Sequence, residues 1–220
     1  MFFLPKGTPQ LENIDATKLV LPDILDTSGS DGFSGYISFV FPSSTVFLVF
    51  ETGHLTLAHL EELGGARMTS LEALLSLAKM MLSSDSGVMN IYTLSKELSA
   101  CIRELFRSET LYQARELKTL NMRSLLEKIK AERISGCLRA YSGDRSALIF
   151  YKNGAPLGFF HDGSFELETS ASESQRIASL PDARIDLFSK REEGLAPEAD
   201  LLELINIQKL WKYAMAGHQA

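Results

Sequence analysis

The chain carries four histidines, His54, His59, His161 and His218, and two cysteines, Cys101 and Cys137. A zinc site needs convergent ligands, and neither a Cys-x-x-Cys nor a His-x-x-x-His spacing occurs. His54 and His59 are five apart, which on a strand puts them on opposite faces. A nucleophilic serine belongs on a Gly-x-Ser-x-Gly elbow and a nucleophilic cysteine beside a histidine; the sequence offers neither. Cys101 on an apolar helix face and Cys137 in a strand read as small core hydrophobes. His161-Asp162, entering an Asp162-Gly163 turn, is the one pairing in which a carboxylate could orient an imidazole for acid–base work. The stretch Gly29-Ser30-Asp31-Gly32-Phe33-Ser34-Gly35 is glycine-rich, but it precedes a strand rather than a helix and contains no lysine, so it is a connector rather than a phosphate cradle. Gly64-Gly65, with Arg67 nearby, reads as a loop turn. The expectation is no catalytic residue, no metal and no cofactor.

Composition narrows the classes further. The 220 residues hold 22 Lys plus Arg against 28 Asp plus Glu, a net charge of −6. A protein that works by neutralising phosphate needs a basic face. From Lys96 to Arg133 nine basic residues meet six acidic ones, an excess of three without interleaved aromatics, so no nucleic-acid partner is expected. Two cysteines cannot make a secreted disulfide framework. Met1-Phe2-Phe3-Leu4 stops at Pro5-Lys6, too short for a signal peptide. The apolar runs 46–50 and 147–151 are far below the ~20 residues of a membrane span. The expected setting is cytoplasmic, with no membrane partner.

The elements that would position any site come from an internal repeat. At an offset of 101 residues Gly35 maps to Gly136, Gly53 to Gly154, and Val46-Phe47-Leu48-Val49-Phe50 to Ala147-Leu148-Ile149-Phe150-Tyr151. Ile24-Leu25 falls on Leu125-Leu126. Thr69 with Glu72 falls on Ser170 with Glu173, and each pair has the Ser/Thr-x-x-Glu spacing of a helix capping box. The fold class that follows is α+β: two pseudo-repeats of helix-β-β-β-helix-β with mainly antiparallel sheets, plus a connecting helix and a C-terminal helix. The boundaries are 1–95 for the first repeat, 96–120 for the connecting helix, 121–190 for the second repeat and 191–220 for the last helix.

In the first copy the pattern predicts a helix over 19–26, strands over 35–41, 45–51 and 54–60, a helix over 70–82 with Leu71, Leu74, Leu75, Ala78 and Met81 on one stripe, and a strand over 87–94. In the second it predicts a helix over 122–132, strands over 136–142, 145–152 and 155–161, a helix over 171–180 and a strand over 183–189. Thr52-Gly53 and Asn153-Gly154 are the hairpin turns. The last helix is predicted to open at Ala196-Pro197-Glu198 and to carry Leu201, Leu204, Ile205, Leu210 and Trp211. The unbroken apolar second strands fail to alternate, so they should be interior to their sheets and covered on both faces.

The run Gly35-Tyr36-Ile37, Phe47-Leu48-Val49-Phe50-Glu51-Thr52-Gly53, Glu72-Ala73-Leu74-Leu75 and Gly87-Val88-Met89-Asn90-Ile91 resembles the PATAN-type domain, a small α+β module of bacterial signalling proteins. Gly136-Cys137-Leu138 and Ile149-Phe150-Tyr151-Lys152-Asn153-Gly154 repeat part of the pattern. The second copy departs from it at Phe159-Phe160 and lacks the Glu-Ala-Leu helix. The resemblance covers about two-thirds of the chain and implies non-catalytic adaptor or scaffold work.

The leading expectation is therefore a protein–protein interaction module in bacterial signalling, with a second copy of the chain as one candidate partner. Its interaction residues would be Phe159, Phe160 and His161 at the end of a strand, Leu105 and Tyr112 on the connecting helix, and Trp211 on the last helix. The alternatives are a small-ligand sensor with a pocket between the repeats, or an enzyme built round His161 and Asp162. An exposed apolar patch of several hundred Å² would favour the first. A pocket of ~300 Å³ or more with a few polar groups would favour the second.

Overall fold

The computed structural model describes residues 4–143, 145–190 and 199–218. Two compact units emerge: residues 8–99 with the C-terminal residues 199–218, and residues 4–7 with 100–190. The fold is α+β, with one antiparallel sheet of six strands and one of five.

The first unit runs β1 (Thr8–Asp15), α1 (Leu21–Ser30), β2 (Gly35–Phe41), β3 (Ser44–Glu51), β4 (His54–Glu62), β5 (Arg67–Thr69), α2 (Ser70–Ser83) and β6 (Val88–Thr93). Its sheet order is β1-β6-β2-β3-β4-β5. Helix α3 (Lys96–Arg107) crosses into the second unit, which continues β7 (Glu109–Glu116), α4 (Met122–Ala131), β8 (Gly136–Ser142), β9 (Arg145–Lys152), β10 (Ala155–Phe160), α5 (Ser172–Ala178) and β11 (Arg184–Ser189). Its order is β10-β9-β8-β11-β7. Read from the third strand of each copy, both sheets have the same order. The chain ends in α6 (Leu201–Leu204) and α7 (Ile207–His218).

The expected repeat is present and reaches further than the sequence suggested. β1 and β7 start at Thr8 and Glu109, so the offset of 101 extends to an N-terminal strand that was not anticipated. Both strands pair antiparallel with the last strand of their unit. Backbone strain repeats with the fold: Asn13 and Ala114 have φ of 59° and 50°, and Thr52 and Asn153 have 51° and 50°. Gly53 and Gly154 complete two hairpins in which both turn residues are left-handed, with φ of 85° and 79°. Their amides donate to the carbonyls of Phe33 and Ile134, again one offset apart. Gly35 and Gly136 are glycine for another reason. A Cβ there would lie 2.1 and 2.0 Å from the carbonyl oxygens of Tyr92 and Phe188 on the neighbouring strand.

β3 is interior and buried along its whole length, and β9 lies one strand in from the edge, as unbroken apolar strands require. In the first unit Ile37, Phe39, Val46, Leu48 and Phe50 pack on Leu25 of α1, Leu74 and Leu77 of α2, and Leu210 and Trp211 of α7. Asp200 ties the C-terminal segment down. Its Oδ1 accepts from the amides of Leu55 and Leu202, and its Oδ2 lies 3.1 Å from His54 Nδ1. The last helices are thus part of the first unit's core rather than a separate element of 191–220. Ala196-Pro197-Glu198 and the His218 side chain lie outside the described residues.

Several expectations need correction. The connecting helix does not fill 96–120. It stops at Arg107, where the Ser108 hydroxyl donates to the Glu104 carbonyl, and 109–116 is a strand. A helix-favouring composition yields there to pairing with β11, because tertiary pairing outweighs propensity. Helix α1 begins and ends later than 19–26. On α2 the buried stripe is Ala73, Leu74, Leu77, Ala78 and Met81, while Leu71 is exposed. Neither capping box closes. Thr69 is the N-cap of α2 but makes no side-chain cap hydrogen bond, and the N-cap of α5 is Ala171 rather than Ser170. Glu173 faces Arg145 and Arg176 instead, its Oε1 lying 2.5 Å from Arg145 Nη2.

Candidate functional site

Strand alternation divides the second sheet between two faces. Leu138, Ala140, Ala147, Ile149, Ile185 and Leu187 pack on the α4 side with Leu125 and Ile129, and Ile177 of α5 joins them. Cys137, Leu148, Phe150 and Phe188 point the other way and are also buried. Beside this second face the stretch of α3 from Ala100 to Leu105 leaves a cavity of about 380 Å³. Cys137 and Phe150 form its apolar base, Cys101 and Leu105 line it from the helix, and Leu157 of β10 stands exposed at its margin.

Polar groups ring this cavity. Glu104 is engaged at both oxygens: Oε2 lies 2.8 Å from Lys190 Nζ and Oε1 lies 3.5 Å from Arg103 Nε. Lys152, at the exposed end of β9, makes no ion pair among the described residues. Ser135 accepts the Asn153 amide on its hydroxyl at 2.9 Å, which fixes the left-handed hairpin at the rim. Burial, with a smaller contribution from Cys101, pushes the Cys137 thiol far above its ordinary range. Burial also raises the Tyr151 hydroxyl to about 12. Both groups are neutral at pH 7. Neither offers a nucleophile.

A second hollow of about 320 Å³ is lined by Arg145, Ser146, His161, Asp162, Glu173 and Ile177. It gathers the histidine–aspartate pair, but its charges are already committed. Asp162 Oδ1 accepts the backbone amide of Lys6 at 2.7 Å, so the carboxylate pins the N-terminal segment and does not orient the imidazole. His161 Nδ1 lies 3.1 Å from the Asp162 carbonyl and 3.3 Å from the Ser164 hydroxyl. Glu173 is held below the usual carboxylate range by its hydrogen bond to Arg145. A general base working near neutral pH has its pKa raised toward that range, whereas this carboxylate is shifted the other way.

The expected interaction residues do not converge on one surface. Trp211 is buried in the first unit's core, and Phe160 is fully buried in the second sheet. Leu105 is buried and lines the cavity. Phe159 is half-buried and exchanges backbone hydrogen bonds with Glu168 at 2.9 Å each way. Tyr112 is on strand β7, not on a helix, under the Lys128 ammonium, whose Nζ is 3.2 Å from the tyrosine hydroxyl. His161 sits at the second hollow. The structural residues Gly35, Gly53, Gly136 and Gly154 have the backbone roles described above. The residues that line the larger cavity carry no motif. Their sequence signal is the pair of lysines, Lys152 and Lys190, where the first copy has Glu51 and Leu94 (offsets of 101 and, for the last strand, 96).

No helix among the described residues is long and apolar enough to cross a membrane, and none of their His, Cys, Asp and Glu side chains form a group able to hold a metal ion. No family model, curated protein or solved structure matches the chain. The likeness to the PATAN-type domain rests on the sequence motifs alone.

Proposed function

We propose that the second unit is a non-catalytic receptor for a small molecule, so that the protein is a sensor rather than an enzyme. The observation that carries this reading is the cavity of about 380 Å³ beside Cys137 and Phe150. It falls within the ~300–1,000 Å³ of small-molecule sites and combines an apolar base with a few polar groups at the rim. The residues that line the pocket all belong to the second unit. A protein-docking role has less support. Exposed large apolar side chains occur on β1, α2, β7, α4, β10, α6 and α7 and outside these elements at Val20, Leu63 and Phe165, and none of them marks out a defined site as the cavity does.

The test is an amide NMR titration of the full chain with octan-1-ol, a neutral probe that needs only an apolar cavity. Shifts should concentrate at Cys101, Cys137 and Phe150. Cys101→Trp, which fills the cavity from a half-exposed helix position, should abolish them while leaving circular dichroism unchanged. Dispersed shifts, or full binding by Cys101→Trp, would refute the reading.

A further inference from the structure

The rim of the cavity is more basic than its unit requires. Of the charged side chains that line it, Lys152 and Lys190 are cationic and Glu104 alone is anionic. Glu104 presents little charge to an incoming molecule, because a cation stands at each of its oxygens. Lys190 is partly exposed and Lys152 exposed, so both retain donors for a ligand. The repeat supplies an internal control. The same frame accepts Glu51 where Lys152 stands and Leu94 where Lys190 stands, so neither lysine is demanded by the fold. Around an apolar base, two ammonium groups that the architecture does not need select for negative charge at one end of a ligand and hydrocarbon at the other.

Resting on the receptor reading above, we infer that the ligand is a small anionic amphiphile. Its hydrocarbon body would lie on Phe150, Cys137 and Leu105, and its carboxylate or comparable head would meet Lys152 and Lys190 at the rim. A carboxylate there replaces water around two ammonium groups without displacing Glu104, since each Lys has three donors. Uptake involves no bond making or breaking.

Calorimetric titration of the full chain with octanoate, octan-1-ol and octylammonium tests this directly. Octanoate should bind about tenfold more tightly than octan-1-ol, octylammonium more weakly than either, and only the octanoate affinity should fall with added salt. Lys152→Glu, which imports the residue of the first copy at an exposed position, should cost octanoate about fivefold or more and leave octan-1-ol unchanged. Equal affinities for octanoate and octan-1-ol would overturn the inference while leaving the receptor intact. Tighter octylammonium would do the same. Failure of all three probes to bind would remove the receptor and the inference together.

Discussion

Asn90 in the first unit and Asp186 in the second hold the same place and do the same work with different chemistry. Each accepts, on its Oδ1, the amide of a left-handed residue in the N-terminal edge strand: Asn13 at 2.9 Å and Ala114 at 2.7 Å. The other end of each side chain then differs. Asn90 Nδ2 donates to the Ser38 hydroxyl at 3.4 Å, whereas Asp186 Oδ2 accepts from Arg139 Nη1 at 3.3 Å in a pair buried on both sides. Ser38 and Arg139 are themselves equivalent, 101 residues apart. What the frame conserves is the bulge and its acceptor. Charge at that point is optional, which agrees with the small net value of buried ion pairs set against their desolvation cost. The bulge also twists the edge strand, whose outer side has no strand neighbour among the described residues, a device that discourages association through sheet edges.

The largest effect should come from splitting the charged version. Asp186→Ala leaves a buried guanidinium without its carboxylate and the Ala114 amide without its acceptor, and should cost about 3–5 kcal/mol in urea denaturation of the second unit. Installing the neutral set of the first unit, Arg139→Ser with Asp186→Asn, should cost less than about 1.5 kcal/mol. If the double variant is no better than the single one, the equivalence is wrong.

Next come the strand glycines. Gly35→Ala and Gly136→Ala should each destabilise by roughly 3 kcal/mol, because a Cβ would collide with a backbone oxygen that cannot swing away. Matching losses, read from the melting transition of each unit, would support a shared geometry, and a tolerated alanine at either site would contradict it.

A third difference is pH-dependent. His59 is buried where the second copy has Phe160. Burial first, then Arg67, lowers its pKa to about 4 from 6.5, with Glu61 acting the other way. Below pH 6.5 the unfolded chain takes up a proton that the folded chain refuses, so stability present above 6.5 is lost as pH falls toward 4, by about 3 kcal/mol. His59→Phe should flatten that limb of the pH–stability curve, and an unchanged slope would assign the dependence elsewhere.

The smallest expected effect is Ala114→Asn, which imports the first unit's residue at φ 50° and should stabilise by about 0.5 kcal/mol, because asparagine tolerates the left-handed region better than alanine. A melting temperature that falls instead would show the bulge to be shaped differently in the two copies.

The repeat was legible because glycines at points of close backbone approach and unbroken apolar strands leave a mark on the sequence. The hairpins at Thr52-Gly53 and Asn153-Gly154 came through for the same reason. Strand β7 did not, since Glu109–Glu116 is polar and largely exposed and is held by pairing with β11 rather than by its own pattern. The cavity was equally hidden. Cys101, Leu105, Cys137 and Phe150 look like core residues one by one, and only their placement around an unfilled space distinguishes them. The ties of Lys6 to the 162–163 turn and of Asp200 to Leu55 join residues about 150 positions apart, beyond any local pattern.

The central claim is that one frame occurs twice and that its second copy holds a ligand cavity. Hydrogen exchange of the full chain, read by mass spectrometry with and without saturating octanoate, addresses it most directly. Slower exchange confined to 100–108 and 135–157, with 21–62 unchanged, is the predicted result. Protection in the first unit, or no protection at occupancies confirmed by calorimetry, would contradict it.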